Sequence, residues 1–160
     1  MFLGILSATF LPGRAFANPF REITWEDLIP QGVPYGEIIG EGQFDEANDT
    51  WLPEFDENAK LVNTGLDGKP VKLPGYIIPF DMDSDGVTSF MLAPYVGACI
   101  HTPPPPPNQL VFVTTQTPWP SDSMWDAVWV SGRLSAKAMS TQIADVGYQI
   151  EADKIELYEW

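Results

Sequence analysis

Ala127-Val128-Trp129-Val130-Ser131-Gly132-Arg133-Leu134, followed by Val146-Gly147-Tyr148-Gln149-Ile150, is the stretch whose reading decides the fold. Val128, Val130 and Leu134 fall on one side of an alternating pattern, and β-branched residues suit a pleated, half-buried surface. Gly132 inside such a strand predicts a bulge or the close approach of another backbone. Val146, Tyr148 and Ile150 alternate in the same way, and Ile155 and Leu157 repeat the pattern after Ala152-Asp153.

Toward the N-terminus the same signals recur. Val71-Lys72-Leu73 alternates behind the Asp67-Gly68 turn, Pro74-Gly75 is expected to interrupt, and Tyr76 to Phe80 continues as a buried strand. Asp81 to Gly86 reads as a turn, Val87 to Leu92 as the next strand, and Gln109 to Thr115 as another. Sixteen prolines and thirteen glycines imply many turns and few long helices. The expected fold is mainly all-β: a small five-stranded barrel over residues 59–160 behind an acidic, mostly irregular N-terminal arm over 18–58. The Val-x-Val-x-Gly-x-Leu run with Gly147-Tyr148 resembles the later strands of OB-fold barrels, a fold that implies no single function.

The arm is rich in acids between Gly36 and Glu57 and has no basic residue there. Its few large apolar residues give it no core of its own, so Trp51 and Phe55 are expected to pin it. Before it, Thr24 and Asp27 have the spacing of a capping box for a short helix that Pro30 ends.

The net charge of −14 excludes function classes. Nucleic-acid binding needs clustered Lys and Arg to neutralise phosphates. The eight basic residues (Arg14, Arg21, Lys60, Lys69, Lys72, Arg133, Lys137, Lys154) form no run, so neither nucleic acid nor an anionic lipid surface is an expected partner. Met1 to Leu11 is apolar, Pro12-Gly13 breaks it, and Ala15-Phe16-Ala17 supplies a small-x-small pattern. Residues 1–17 therefore read as a signal peptide cleaved after Ala17, with export to the periplasm and no membrane insertion afterwards.

Chemistry concentrates in Gly97-Ala98-Cys99-Ile100-His101-Thr102, followed by Pro103 to Pro107 and Asn108-Gln109. On an extended backbone Cys99 and His101, two apart, face the same way, and thiolate with imidazole suits a zinc or copper ion. Two donors are an incomplete set, and the chain has no other Cys or His. Carboxylates, water, a partner's groups, or for copper(I) the thioethers of Met82, Met91 or Met124 would complete it. The alternatives are a Cys99 that packs as a small hydrophobe or a Cys99–His101 nucleophilic pair, but no protease signature surrounds the pair and the expectation is no enzyme. Asp81-Met82-Asp83-Ser84-Asp85-Gly86 opens like a calcium loop, but its twelfth position is Leu92, so it reads as a hairpin turn. Trp119, Trp125 and Trp129 read as the end-plug of a barrel core.

Leu66-Asp67-Gly68-Lys69 with Val71, Pro74-Gly75-Tyr76, Pro79, Phe90 to Tyr95, Gly97 to His101, the proline run, Asn108-Gln109, Val130-x-Gly132-x-Leu134 and Gly147-Tyr148 resemble a family of exported Gram-negative proteins. It is a domain-of-unknown-function family, and the likeness spans residues 60–160. The resemblance implies a periplasmic protein, in some cases beside transport systems linked to metal supply. It carries metal binding onto Cys99 and His101, the positions that match the signature. The function expected is an accessory binding protein that captures or transfers zinc or copper beside an ABC-type transporter or other envelope partner. The alternative is a metal-free interaction module that docks such a partner through Pro103, Pro104, Pro105, Pro106, Asn108 and Gln109.

Overall fold

A computed structural model describes residues 19–159 except 48, 84, 98–103, 121–125 and 142, with the side chains of Thr50 and residues 81–83 also outside the description. The expected signal peptide lies outside the described residues. In chain order the strands are β1 (Arg21–Glu22), β2 (Gln43–Asp45), β3 (Thr50–Leu52), β4 (Pro70–Asp83) and β5 (Gly86–Ala93). They continue with β6 (Val111–Trp119), β7 (Ala127–Ser135), β8 (Met139–Ser140), β9 (Asp145–Val146) and β10 (Tyr148–Leu157). The short helices Glu26–Leu28, Glu57–Lys60, Thr64–Leu66 and Pro107–Gln109 are all of the 3-10 type. No helix among the described residues is long and apolar enough to cross a membrane.

The main sheet runs β4-β5-β6-β10-β7 and returns to β4, which closes a five-stranded barrel; β1 adds to β4 in parallel. β6 and β10 are parallel, and the other barrel pairs are antiparallel. This is the strand order of an OB fold, as the sequence pattern predicts.

β4 closes the ring by serving two neighbours. Pro70 to Tyr76 pair with β7, and Tyr76 to Asp83 pair with β5. Pro74-Gly75, expected to interrupt the strand, instead lies inside it at this change of partner. A side chain at Gly75 would come within 2.7 Å of Leu92 Cγ and 2.9 Å of both the Ala93 carbonyl oxygen and the Trp25 ring. Glycine is needed there because strand and indole crowd together, not because the chain turns. The Pro74 carbonyl accepts a 2.8 Å bond from the Trp25 indole N–H, which ties the N-terminal segment to the strand at this point.

Parity explains the core. Val71, Leu73 and Ile77 of β4, Phe90 and Leu92 of β5, Val111 and Val113 of β6, Val128, Val130 and Leu134 of β7, and Tyr148 and Ile150 of β10 fill the interior. On β10 an extra residue, Asp153, sits between the pairs Ala152↔Gly132 and Lys154↔Ser131. That bulge shifts the alternation by one, so Ile155, not Lys154, packs against the core. Opposite the bulge, a Cβ at Gly132 would collide with the Glu151 carbonyl oxygen. The glycine thus permits close backbone approach, and the bulge is on its partner strand.

Met91 and Ala93, on the other side of β5, join Ile78, Leu110 and Val146 in a second cluster with Phe80, Phe112, Met139 and Ile143 packed on it. Both faces of β5 are covered.

The N-terminal segment is more ordered than its composition predicts. Ile23 and Leu28 belong to the main core. Asp27 accepts bonds from the Thr24 N–H and hydroxyl, so the expected capping box is made from one side only. The acidic stretch, expected to be irregular, forms a hairpin of β2 and β3, with Ile38 bridged to Phe55 at its base.

Gly132→Ala is expected to cost about 2–3 kcal/mol through overpacking, read as a lower urea midpoint at unchanged slope. Gly68 has φ +71° and open space around it. Gly68→Ala should therefore cost only about 1 kcal/mol of backbone strain. Equal losses at the two positions would remove the packing explanation.

Candidate functional site

The loop joining β5 to β6 carries the residues singled out by the sequence. Cys99, His101 and Pro103 lie outside the described residues, as do the Met82 and Met124 side chains. What the structure gives is how the loop is held. Its first foot leaves the barrel through buried Ala93, passes half-buried Pro94 and Tyr95, and reaches Val96, which is 54% exposed. Its second foot descends through half-buried Pro104 and buried Pro105 and Pro106 into the Pro107–Gln109 helix.

A run of prolines has no N–H groups, so it cannot be tied down by backbone donation. The two amides that follow it supply the donors. Asn108 Nδ2 donates to the carbonyls of Asn58 (2.9 Å) and Leu61 (3.0 Å). Gln109 Nε2 donates to the Trp25 carbonyl (2.9 Å) and the Asn108 carbonyl (3.0 Å). The Pro107 carbonyl accepts from Gly147 N–H at 2.6 Å. A Cβ on Gly147 would stand 3.0 Å from both Asn108 Cα and that carbonyl oxygen. Asn108 and Gln109, expected on a docking surface, are buried at 0% and 3% exposure. Their side chains hold the loop to the N-terminal segment and are not presented to a partner. Pro105 and Pro106 are likewise turned in. Asn108 Oδ1 has no hydrogen-bond partner among the described residues.

Tyr148 completes the mooring. Its buried hydroxyl donates to the Leu28 carbonyl and accepts from Asn63 N–H, both at 2.5 Å. Asn63 Nδ2 in turn donates to the Asp27 carbonyl at 2.8 Å. Residues 25–28 and 58–63 are thereby fastened to the barrel and to the loop's second foot. Sequence reasoning used Tyr148 only as an inward strand residue; no local pattern names partners 85 and 120 residues away.

The metal reading gains no further donor here. No group of three or more His, Cys, Asp or Glu among the described residues is placed to hold an ion. Met91 is fully buried in the second cluster, which removes it as a thioether ligand at the loop. The β4–β5 hairpin closes in the expected segment, with Asp83 paired to Gly86, but Asp81 to Asp83, expected within the turn, continue β4 and Gly86 opens β5. Of the three tryptophans expected to plug the barrel, Trp119 packs against the core. Trp125 lies outside the described residues. Trp129 differs: strand parity turns it outward, where it stacks on Tyr158 at 5.2 Å with Lys72 Nζ 4.6 Å from its ring.

The described surface is not smooth around the barrel. A notch of about 130 Å³ is lined by Trp25, Pro74, Tyr76, Pro94, Ala127 and Tyr158, beside the first foot of the loop. A shallow groove of about 390 Å³ crosses the outer face of β6, β10 and β7, lined by Phe112, Thr114, Arg133, Ser135, Gln149 and Glu151 among others. Arg133 Nη1 is committed to the Gly68 carbonyl at 2.8 Å, and Gln149 Nε2 to the Lys137 carbonyl at 3.0 Å.

Burial pushes the Tyr148 hydroxyl up from 10.0 to about 12, against the opposing effect of the Asn63 bond. The folded state favours the neutral phenol, so this stabilisation is complete below pH 10 and is lost as pH climbs through about 12. Tyr148→Phe leaves a buried carbonyl and N–H without their partner and is expected to cost about 2–3 kcal/mol at neutral pH. It should also flatten the alkaline fall in stability; urea unfolding of both proteins across that pH range checks this, and an unchanged alkaline limb would contradict it.

Comparison with known proteins agrees with the topology. A family model described as "Protein of unknown function (DUF3299)" matches residues 25–157, which include the fastened N-terminal segment as well as the barrel. The crystal structure of a DUF3299 family protein from Pseudomonas aeruginosa PAO1 superposes with a TM-score of 0.71 at 33% identity, over 89% of this chain and 99% of that one. No curated protein matches the chain. With the family model covering most of its length, the chain belongs to the DUF3299 family.

Proposed function

We propose that this chain is an accessory binding protein, not an enzyme, and that it works by presenting the tip of the β5–β6 loop to a partner. The observation that carries the reading is the mooring of that loop. A donor-free proline segment is held by Asn108, Gln109 and Gly147, and its other foot rises beside an aromatic notch. Fixing the two ends of a loop removes part of the ordering entropy from a binding step. Between the two feet the sequence carries Cys99 and His101.

Within this reading, zinc or copper is cargo. A thiolate and an imidazole supply two donors, and a zinc site takes three or four. Such a pair suits transfer, with an exported partner such as an ABC-type transporter or another envelope protein completing the set. The periplasm is the compartment this requires, and the apolar run Met1 to Leu11 followed by Ala15-Phe16-Ala17 supports it. A second reading, docking without metal, is favoured by one observation: Trp25, Tyr76 and Tyr158 form a notch that Pro94 of the loop's first foot also lines.

The experiment is an anaerobic titration of zinc and copper(I) into the purified chain, beside Cys99→Ser and His101→Ala. Binding of one metal, weakened at least tenfold in both variants, is the expected result. Binding indifferent to both changes, or none, would sink the cargo reading and leave metal-free docking.

A further inference from the structure

The hairpin from Glu37 to Asp56 stands apart from the barrel. Among the described residues β2 and β3 pair with each other, and neither is joined to the main sheet. A lone two-stranded hairpin is marginal in water, yet this one is tied carefully. Ile39 N–H donates to the Glu54 carbonyl (2.7 Å), and Asp56 N–H to the Glu37 carbonyl (2.9 Å). The Trp51 indole N–H donates to the Glu41 carbonyl at 3.0 Å, folding over Gly42. The root is packed too. A Cβ on Gly36 would lie 2.6 Å from the Ala59 Cα and Cβ, and Ala59 is fully buried. Just beyond it, Asn108 grips the Asn58 carbonyl.

What this held hairpin shows to solvent is apolar. Ile38, Ile39, Phe44, Trp51 and Leu52 are 36%, 45%, 59%, 39% and 42% exposed. Phe44 and Trp51 are direct cross-strand partners and share a face. Around them Glu37, Glu41, Glu46, Asp49 and Glu54 are exposed. Lys60, the first cation after the hairpin, is engaged by Glu57 at 3.1 Å. A concentration of large exposed side chains on one small element marks an interaction surface, and its rim sets the sign of what binds.

We propose that the Glu37–Asp56 hairpin docks a basic protein partner, through a cationic amphipathic segment whose apolar side covers Phe44 and Trp51, the pair that shares one face. Charge selects this occupant. A second copy would bring one acidic rim against another, and anionic lipid or nucleic acid would be repelled in the same way. Lysines or arginines flanking an apolar stripe complement both parts of the surface at once. The hairpin lies outside the β5–β6 loop, so this inference does not depend on the metal-transfer reading.

The probe is a synthetic amphipathic helix of lysine and leucine, titrated into the isotope-labelled full chain at low and at high salt, with chemical shifts followed by NMR. A second peptide keeps the lysines and replaces every leucine by serine. Shifts confined to residues 37–56 are expected, with affinity falling about tenfold when the leucines are lost, and again in salt. Phe44→Ser should weaken binding of the leucine peptide to a similar degree, whereas Leu52→Ser, on the opposite face, should not. Trp51 is left in place because it ties the hairpin. Should Phe44→Ser lose the hairpin's own NMR pattern, Glu41→Gln/Glu54→Gln serves instead and should reduce both affinity and its salt dependence. Shifts spread over the whole acidic surface, equal binding of the two peptides, or concentration-dependent self-association that displaces the peptide would each overturn the proposal.

Discussion

Everything in this molecule is organised around one strand that belongs to two pairings. β4 gives its first half to β7 and its second half to β5. The sheet closes into a barrel because the strand changes partner at Tyr76. Just before that handover Gly75 leaves room for Leu92, the Ala93 carbonyl and the Trp25 ring, and the Pro74 carbonyl accepts the Trp25 indole N–H. The inward residues of all five barrel strands then meet in one core. The closed ring also leaves no free edge within itself, which open sheets must otherwise protect.

A second layer of organisation is polar. The N-terminal segment brings Ile23 and Leu28 to the core, but hydrophobic contact alone does not fix its path. Tyr148, Asn63, Asn108 and Gln109 fix it by bonding to main-chain atoms of residues 25, 27, 28, 58, 61 and 63. Such bonds add little net energy each, but leaving any buried partner unmade is expensive, so the arrangement is specific. The same clamps serve the loop that carries Cys99 and His101 and the base of the acidic hairpin. Two surfaces with different chemistry are therefore held by one network.

Strand periodicity was legible because it reports parity: Val128, Val130, Leu134, Tyr148 and Ile150 all face inward as their spacing implies. What escaped a local reading depended on partners far away in sequence. Pro74-Gly75 carries the usual signal of a turn, and only the crowding of Leu92 and Trp25 makes it a strand position. Trp129 looks like core by composition, yet its place beside Val128 and Val130 turns it out toward Tyr158 and Lys72. Asn108 and Gln109 follow a proline run and so look exposed; their burial comes from the missing donors of that run. The acidic stretch looked structureless because its apolar residues are too few for a core, but they are enough for a hairpin that exposes them.

The placement of β10 has a consequence for how the chain acquires its shape. The last strand inserts between β6 and β7, parallel to one and antiparallel to the other. Until it arrives, the facing edges of β6 and β7 are both unpaired, and the core lacks Tyr148, Ile150 and Ile155. The N-terminal segment also lacks the hydroxyl that fastens it. Residues 25–28 and β10 thus become ordered together, through contacts distant in sequence, which is the pattern of slow, cooperative folding. A ribosome that stalled before residue 148 would release two open strand edges and an unfilled interior, a product poised to aggregate.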